Sequence, residues 1–345
     1  MKKLYHIVII VMLSCSHIVV SAQSLGTSAW MALLDDTITI SSLSIPGAHD
    51  AATGEGMQAF PGLGTTQVLG LREQWECGVR AFDLRPAVRD SVLHIYHGMM
   101  RTKVSFLQAL DTLCTMLKQN PRELAIVLLR EESDSENMSE RALWFALVGN
   151  AISQLGDMAA IFTPSMTLGD ARGKILFLSR NQYEGTDKGA YICGWNHSES
   201  GTSSAGIYSY ADGAMARLQL QDYYAPTNDE KRANKLSAVR RFLDIANESP
   251  ADVWTINHLS GYSTTWFGCT GMATTSGYKR NAAWLHPLVL EYISENADDM
   301  NRHLGIVFMD FVGVGRVGGS WLNWHDYDVL GVQLVRTIIE SNFNL

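Results

Sequence analysis

Three short segments hold residues suited to acid–base chemistry at a phosphate: Ser44-Ile45-Pro46-Gly47-Ala48-His49-Asp50, Phe82-Asp83-Leu84-Arg85 and Tyr96-His97-Gly98. An unperturbed imidazole titrates near pH 6.5, so His49 and His97 can each take or give a proton close to neutrality. Asp50 and Asp310 are the acids available to accept an imidazole N–H and to stabilise its cation. Asp83 and Arg85 are two positions apart, so on a strand they project to the same side and can meet one phosphate or each other. A permanent guanidinium in that place would repel calcium or magnesium, and it can neutralise phosphate charge by itself. No metal ligand and no cofactor is therefore expected. With no Cys-x-x-Cys, no zinc spacing and no evident activated serine or cysteine, the nucleophile is expected from the substrate. A hydroxyl beside a phosphodiester, deprotonated by one histidine while the other protonates the leaving alkoxide, would yield a cyclic phosphate.

Such groups act together only if the fold gathers them. Eight short apolar runs bounded by turn residues read as strands: 38–45, 79–84, 92–96, 124–129, 175–178, 216–220, 253–256 and 305–309. After them come His49-Asp50, Asp83 with Arg85, His97, Arg130-Glu131, Arg180, Asp222 with Tyr224, Asn257-His258 and Asp310. Between several runs lie helical stripes: Phe106, Leu110, Leu113 and Leu117; Leu143, Phe145, Leu147 and Ile152; Leu236, Val239, Phe242 and Leu243; and Leu288, Leu290 and Ile293. Buried parallel strands alternating with helices predict an α/β fold, a distorted (β/α)8 barrel of the TIM type in a single domain. In that architecture the carboxyl ends of the strands meet at one face and supply the catalytic groups. Strands commonly end in polar residues as the chain returns to solvent, but that alone does not favour His, Asp and Arg over Ser, Asn and Gly.

The chain has 345 residues and a formal net charge of −8, which becomes −10 if Lys2 and Lys3 leave with a leader. Residues 1–22 have the form of a secretory signal peptide: two lysines, an apolar stretch over 4–20 and a Val20-Ser21-Ala22 cleavage pattern. Cleavage is favoured over lipidation at Cys15, because Met12-Leu13-Ser14 is a poor lipidation context. Export to the periplasm or medium is expected, with residues 23–345 as the mature domain. An acidic surface argues against a nucleic-acid partner and against membrane binding by bulk charge. Of the four remaining cysteines, Cys77 and Cys114 read as small core thiols. Cys193 and Cys269 sit in Gly-rich stretches where an exported protein could bridge them.

Taken in chain order, these motifs resemble those of secreted bacterial phosphatidylinositol-specific phospholipase C, an X-domain barrel family, and the likeness covers essentially the whole mature chain. The resemblance implies that His49 is the general base on the inositol 2-hydroxyl, oriented by Asp310. It implies that His97 is the general acid for the diacylglycerol oxygen, assisted by Asp50, and that Arg85, supported by Asp83, holds the phosphate. Arg130 stands where the family often has lysine, and a planar fork is not a point charge. Arg180 matches an arginine that contacts ring hydroxyls, and Asp222 with Tyr224 resembles the acid and aromatic that hydrogen-bond and stack on the ring. The implied reaction converts phosphatidylinositol to diacylglycerol and inositol 1,2-cyclic phosphate, with glycosylphosphatidylinositol anchors as a further substrate class.

Enzymes of this type reach lipid through rim aromatics. Phe60, Trp266 and Phe267 are the candidates for peripheral contact with a membrane surface, while Trp144 and Trp284 are expected in the core. No obligate protein partner is expected. Two other readings compete. A glycerophosphodiester phosphodiesterase would use the same barrel with a divalent cation, and a chelator would inhibit it. A catalytically silent module binding inositol lipid or glycan would bind vesicles and release no cyclic phosphate.

Overall fold

The computed structural model describes residues 27–58, 64–132, 138–197, 202–226, 228–262, 275–296, 303–318 and 326–343. The leader and Cys269 lie outside them, so the Cys193–Cys269 pairing does too. The central element is a closed barrel of nine strands. In chain order these are β1 (Ile45–Ala48), β2 (Ala81–Leu84), β6 (Ala125–Leu129), β7 (Ile175–Ser179), β8 (Ala190–Cys193), β9 (Ser203–Ser209), β10 (Met215–Gln221), β11 (Val253–His258) and β12 (Ile306–Met309). A separate three-stranded antiparallel sheet holds β3 (Pro86–Arg89), β4 (Val92–His97) and β5 (Met100–Ser105), and β13 (Arg316–Val317) pairs with β14 (Tyr327–Asp328). The helices are α1 (Leu71–Glu76), α2 (Phe106–Gln119), α3 (Met138–Ser153), α4 (Leu168–Ala171), α5 (Asp229–Glu248), α6 (Thr275–Glu295) and α7 (Gly331–Glu340).

The closed α/β barrel agrees with the expectation, while its strand inventory differs in three places. The run at 92–96 is a strand, but it is the middle one of the outer sheet, so His97 reaches the site from outside the barrel. Two barrel strands, β8 and β9, are absent from the sequence reading. β9 is rich in serine and glycine, and only Ile207 and Ser209 along it are buried, so it offers no apolar run to detect. Lastly, 38–45 is mostly not strand: Ile40–Ser42 is a 3-10 turn and β1 begins only at Ile45. Buried Ile40 and Leu43 instead join the hydrophobic core ahead of β1.

Strands β1, β2, β6, β7, β11 and β12 are buried along their entire length, as both-face coverage of a parallel sheet requires. Closure is made by β1 pairing with β2 on one side and β12 on the other. It is tight: a Cβ at Gly47 would stand 2.8 Å from the ring of Phe308 on β12. α2 carries its apolar stripe as expected, with Phe106, Leu110, Leu113 and Leu117 buried at about 1.5–3 kcal/mol each. A reciprocal Ser105–Gln108 capping box starts it. In α3 the inward face is Trp144, Val148 and Ile152; Leu143, Phe145 and Leu147 are only partly buried. Trp144 is core, whereas Trp284 is partly exposed.

Candidate active site

β1 and β12 run parallel with Ala48 opposite Met309, so the residues that follow, His49 and Asp310, emerge side by side. His49 Nδ1 lies 2.8 Å from Asp310 Oδ1. Gln67 clasps the two strand ends, its amide donating to the carbonyls of His49 and Met309 at 2.9 Å each and accepting from Val312 N at 2.9 Å. On the other flank β2 brings up Asp83, whose Oδ2 accepts from Asp50 N at 3.2 Å, and then Arg85. Asp50 and Phe311 both hold left-handed backbone, at φ 46° and 53°, directly after the His49–Asp310 pair. Non-glycine residues rarely adopt that region, and such strain gathers where side chains are held for function.

Arg85 ties the group together. Its Nη2 is 2.8 Å from His49 Nε2 and 2.9 Å from Asp83 Oδ2, and its Nε is 2.9 Å from Asp50 Oδ1. An arginine only donates, so His49 Nε2 must present its lone pair and Nδ1 must carry the proton given to Asp310. Burial, reinforced by the Arg85 charge, drives the His49 pKa well below the usual imidazole value and keeps it a neutral base. Burial and Asp50 pull the Asp310 pKa upward. The tautomer imposed by Arg85 nevertheless makes its carboxylate the acceptor. Asp83 is depressed because Arg85 and His49 outweigh its burial. For Asp50 burial wins over Arg85 and His97, and its pKa rises to about 6.

His97, at the end of β4, gives its Nδ1 proton to the carbonyl of Gly64 at 2.5 Å. Its Nε2 stands 3.5 Å from Asp50 Oδ2 and 3.1 Å from the hydroxyl of Tyr278, which in turn meets the Tyr224 hydroxyl at 3.1 Å. Asp50 Oδ2 is also 3.3 Å from His49 Nε2. One carboxylate oxygen thus lies near the Nε2 atoms of both imidazoles, while a backbone carbonyl sets the ring orientation of His97.

These side chains open into a cavity of about 470 Å³ at the carboxyl ends of the strands. Arg130 after β6, Arg180 after β7, Asp222 and Tyr224 after β10, and His258 at the end of β11 line it. The fold therefore brings together His49, Asp50, Asp83, Arg85, His97, Asp310, Arg130, Arg180, Asp222 and Tyr224. Phe60, Trp266 and Phe267 lie outside the described residues. Sequence reasoning missed Glu132, Trp195, His197 and Tyr278 and gave His258 no role. Glu132 was within reach of the same two-residue spacing that singled out Asp83 and Arg85, and its carboxylate lies 3.7 Å from Arg85 Nη1. Trp195 and His197 directly follow β8, one of the two undetected strands, and Tyr278 lies inside α6, where an isolated tyrosine carries no signal.

No family model matches the chain. Among curated proteins, one of Listeria monocytogenes named 1-phosphatidylinositol phosphodiesterase is 29% identical over 294 residues, spanning 84% of this chain and 82% of its own length. One of the same name from Staphylococcus aureus is 25% identical over 346 residues, 97% of this chain and 96% of that protein. The chain is a homologue of bacterial phosphatidylinositol-specific phospholipase C. Solved structures agree. The phosphatidylinositol-specific phospholipase C of Listeria monocytogenes superposes with a TM-score of 0.66 at 25% identity, covering 92% of this chain and 99% of that one. The Staphylococcus aureus phospholipase C gives 0.67 at 21% identity over 90% and 97%, a likeness of fold.

Proposed function

We propose that this protein is a metal-independent phosphatidylinositol-specific phospholipase C that cleaves phosphatidylinositol, and glycosylphosphatidylinositol anchors as a second substrate class, to diacylglycerol and inositol 1,2-cyclic phosphate. The observation that carries the reading is the pair of imidazole Nε2 atoms that converge on Asp50 Oδ2, at 3.3 and 3.5 Å, with Arg85 alongside. His49 Nε2, unprotonated, takes the proton of the inositol 2-hydroxyl as its oxygen bonds to phosphorus. Asp310 stabilises the imidazolium that results. Arg85 neutralises the phosphoryl oxygens, and its bonds to Asp50 and Asp83 hold it in place before charge develops. His97, protonated, gives its Nε2 proton to the glycerol oxygen as the bond from that oxygen to phosphorus breaks. Arg130, Arg180, Asp222 and Tyr224 offer the charged and aromatic wall expected to grip the ring.

Metal independence rests on charge. His49, Asp50 and Asp83 offer donor atoms within 4.8 Å of one another, a spacing a cation could use. The Arg85 guanidinium already lies 2.9 Å from both carboxylates, so their negative charge is matched and a divalent ion would meet a fixed positive one. The leader-like segment 1–22 supports export, and an acidic chain supports contact with lipid through a local rim rather than through bulk charge. Phosphorus NMR of the products from phosphatidylinositol vesicles in excess EDTA tests the reading. Inositol 1,2-cyclic phosphate should form at the rate seen without EDTA. Loss of activity on chelation would favour the metal-dependent phosphodiesterase, and vesicle binding without product would favour a silent binding module. His49→Ala and His97→Ala should each lower turnover about 10²- to 10⁴-fold with the fold retained by circular dichroism.

A further inference from the structure

The segment that follows β8 places His197 on the wall of the cavity, with Trp195 two residues before it. His197 bridges two residues of the ring-binding wall: its Nδ1 is 2.8 Å from Asp222 Oδ2, and its Nε2 is 2.9 Å from Arg180 Nη2. Trp195 acts on the same pair, donating from Nε1 to Asp222 Oδ2 at 2.9 Å and lying beneath the Arg180 guanidinium, 4.3 Å from its carbon. Resting on the phospholipase reading above, we propose that His197 is a positioning residue for inositol recognition, one that holds Arg180 and Asp222 in register only while its imidazole is neutral.

Hydrogen-bond chemistry supplies the second half of the proposal. Arg180 has only donors to offer, so Nε2 must accept and Nδ1 must donate to Asp222. A proton added to Nε2 sets two donors face to face across 2.9 Å. The contact with Asp222 survives and that with Arg180 is lost. Arg180 is then held only by stacking on Trp195 and by the field of Asp222, and the ring hydroxyls lose a pre-set partner. The groups facing His197 are Asp222 from β10 and Arg180 from β7. Behind these stand His258 from β11, Arg130 from β6 and Lys235 from α5, whose fields act on Asp222 or Arg180.

Steady-state kinetics on a short-chain, water-soluble phosphatidylinositol, measured between about pH 5 and 8, test this without interference from vesicle binding. For the wild type KM should rise about 3- to 10-fold toward the acid end, apart from whatever profile kcat follows. His197→Ala should show the raised KM at every pH, with a larger effect on KM than on kcat. His197→Gln supplies one N–H for Asp222 and one carbonyl for Arg180, so it should restore a low KM that no longer responds to pH. A wild-type KM in His197→Ala, or a pH-responsive KM in His197→Gln, overturns the proposal. Wild-type protein that does not cleave the soluble lipid at all overturns the functional reading beneath it, a different and recognisable failure.

Discussion

Arg85 meets three ionisable partners at once through one planar group, His49 and Asp83 at Nη2 and Asp50 at Nε. A lysine in its place keeps the charge and loses the fork, so it can serve at most one of these partners well. His49 would then no longer be obliged to hold its lone pair on Nε2, and Asp50 and Asp83 would face each other with less between them. Arg85→Lys should therefore reduce kcat by on the order of 10²-fold with a smaller change in KM. A kinetic split of the variant against wild type checks this, and near-normal kcat would show that charge alone suffices. Sequence revealed the identity of this residue and its two-residue partner, because strand geometry makes that pairing local. It did not reveal the bond to His49, 36 positions away.

At the scale of elements, the clasp by Gln67 matters most. Its single amide satisfies two carbonyls and one N–H from the ends of β1 and β12, in a region buried from water. Gln67→Leu fills similar space and leaves the Val312 N–H to find another partner, at roughly 1–3 kcal/mol if left unpaired, while the carbonyls of His49 and Met309 keep only their bonds from Thr66 Oγ1 and His49 N. The expected result is a lower midpoint in urea and a fall in kcat, since His49 and Asp310 leave those same strand ends. An unchanged midpoint would mean water replaces the amide freely. Elements of this kind were unevenly legible in the sequence. Apolar parallel strands such as Ala125–Leu129 and Ile175–Ser179 declare themselves because both faces are covered. The Ser203–Ser209 strand does not, because its exposed face and small residues dilute the pattern, and with it went Trp195 and His197. Gln67 sits in a loop, where nothing but tertiary context distinguishes it.

For the molecule as a whole, acid should act through buried imidazoles. His258 and His286 are each held down to about 4 by burial. In an unfolded chain both would titrate near 6.5. Between those values the native state binds fewer protons than the unfolded chain, so stability falls as pH drops through that window, by on the order of 3 kcal/mol for each imidazole. Asp50 works the other way: raised to about 6, it favours the native state as pH falls from there toward the unfolded carboxyl range, offsetting about one imidazole. His286 lies on α6, away from the chemistry, and its Nδ1 bonds the Val329 carbonyl at 2.7 Å. His286→Gln can keep that bond without titrating, so it should flatten the decline of melting temperature between pH 6.5 and 4. An undiminished slope would place the proton uptake elsewhere.

Barrel closure carries one more consequence. His49 and Asp310 are 261 positions apart, and they become neighbours only when the last barrel strand docks against the first. A nascent polypeptide still lacking its C-terminal segment can hold every other group and still leave His49 without Asp310. Turnover is therefore a report on closure of the barrel as a whole.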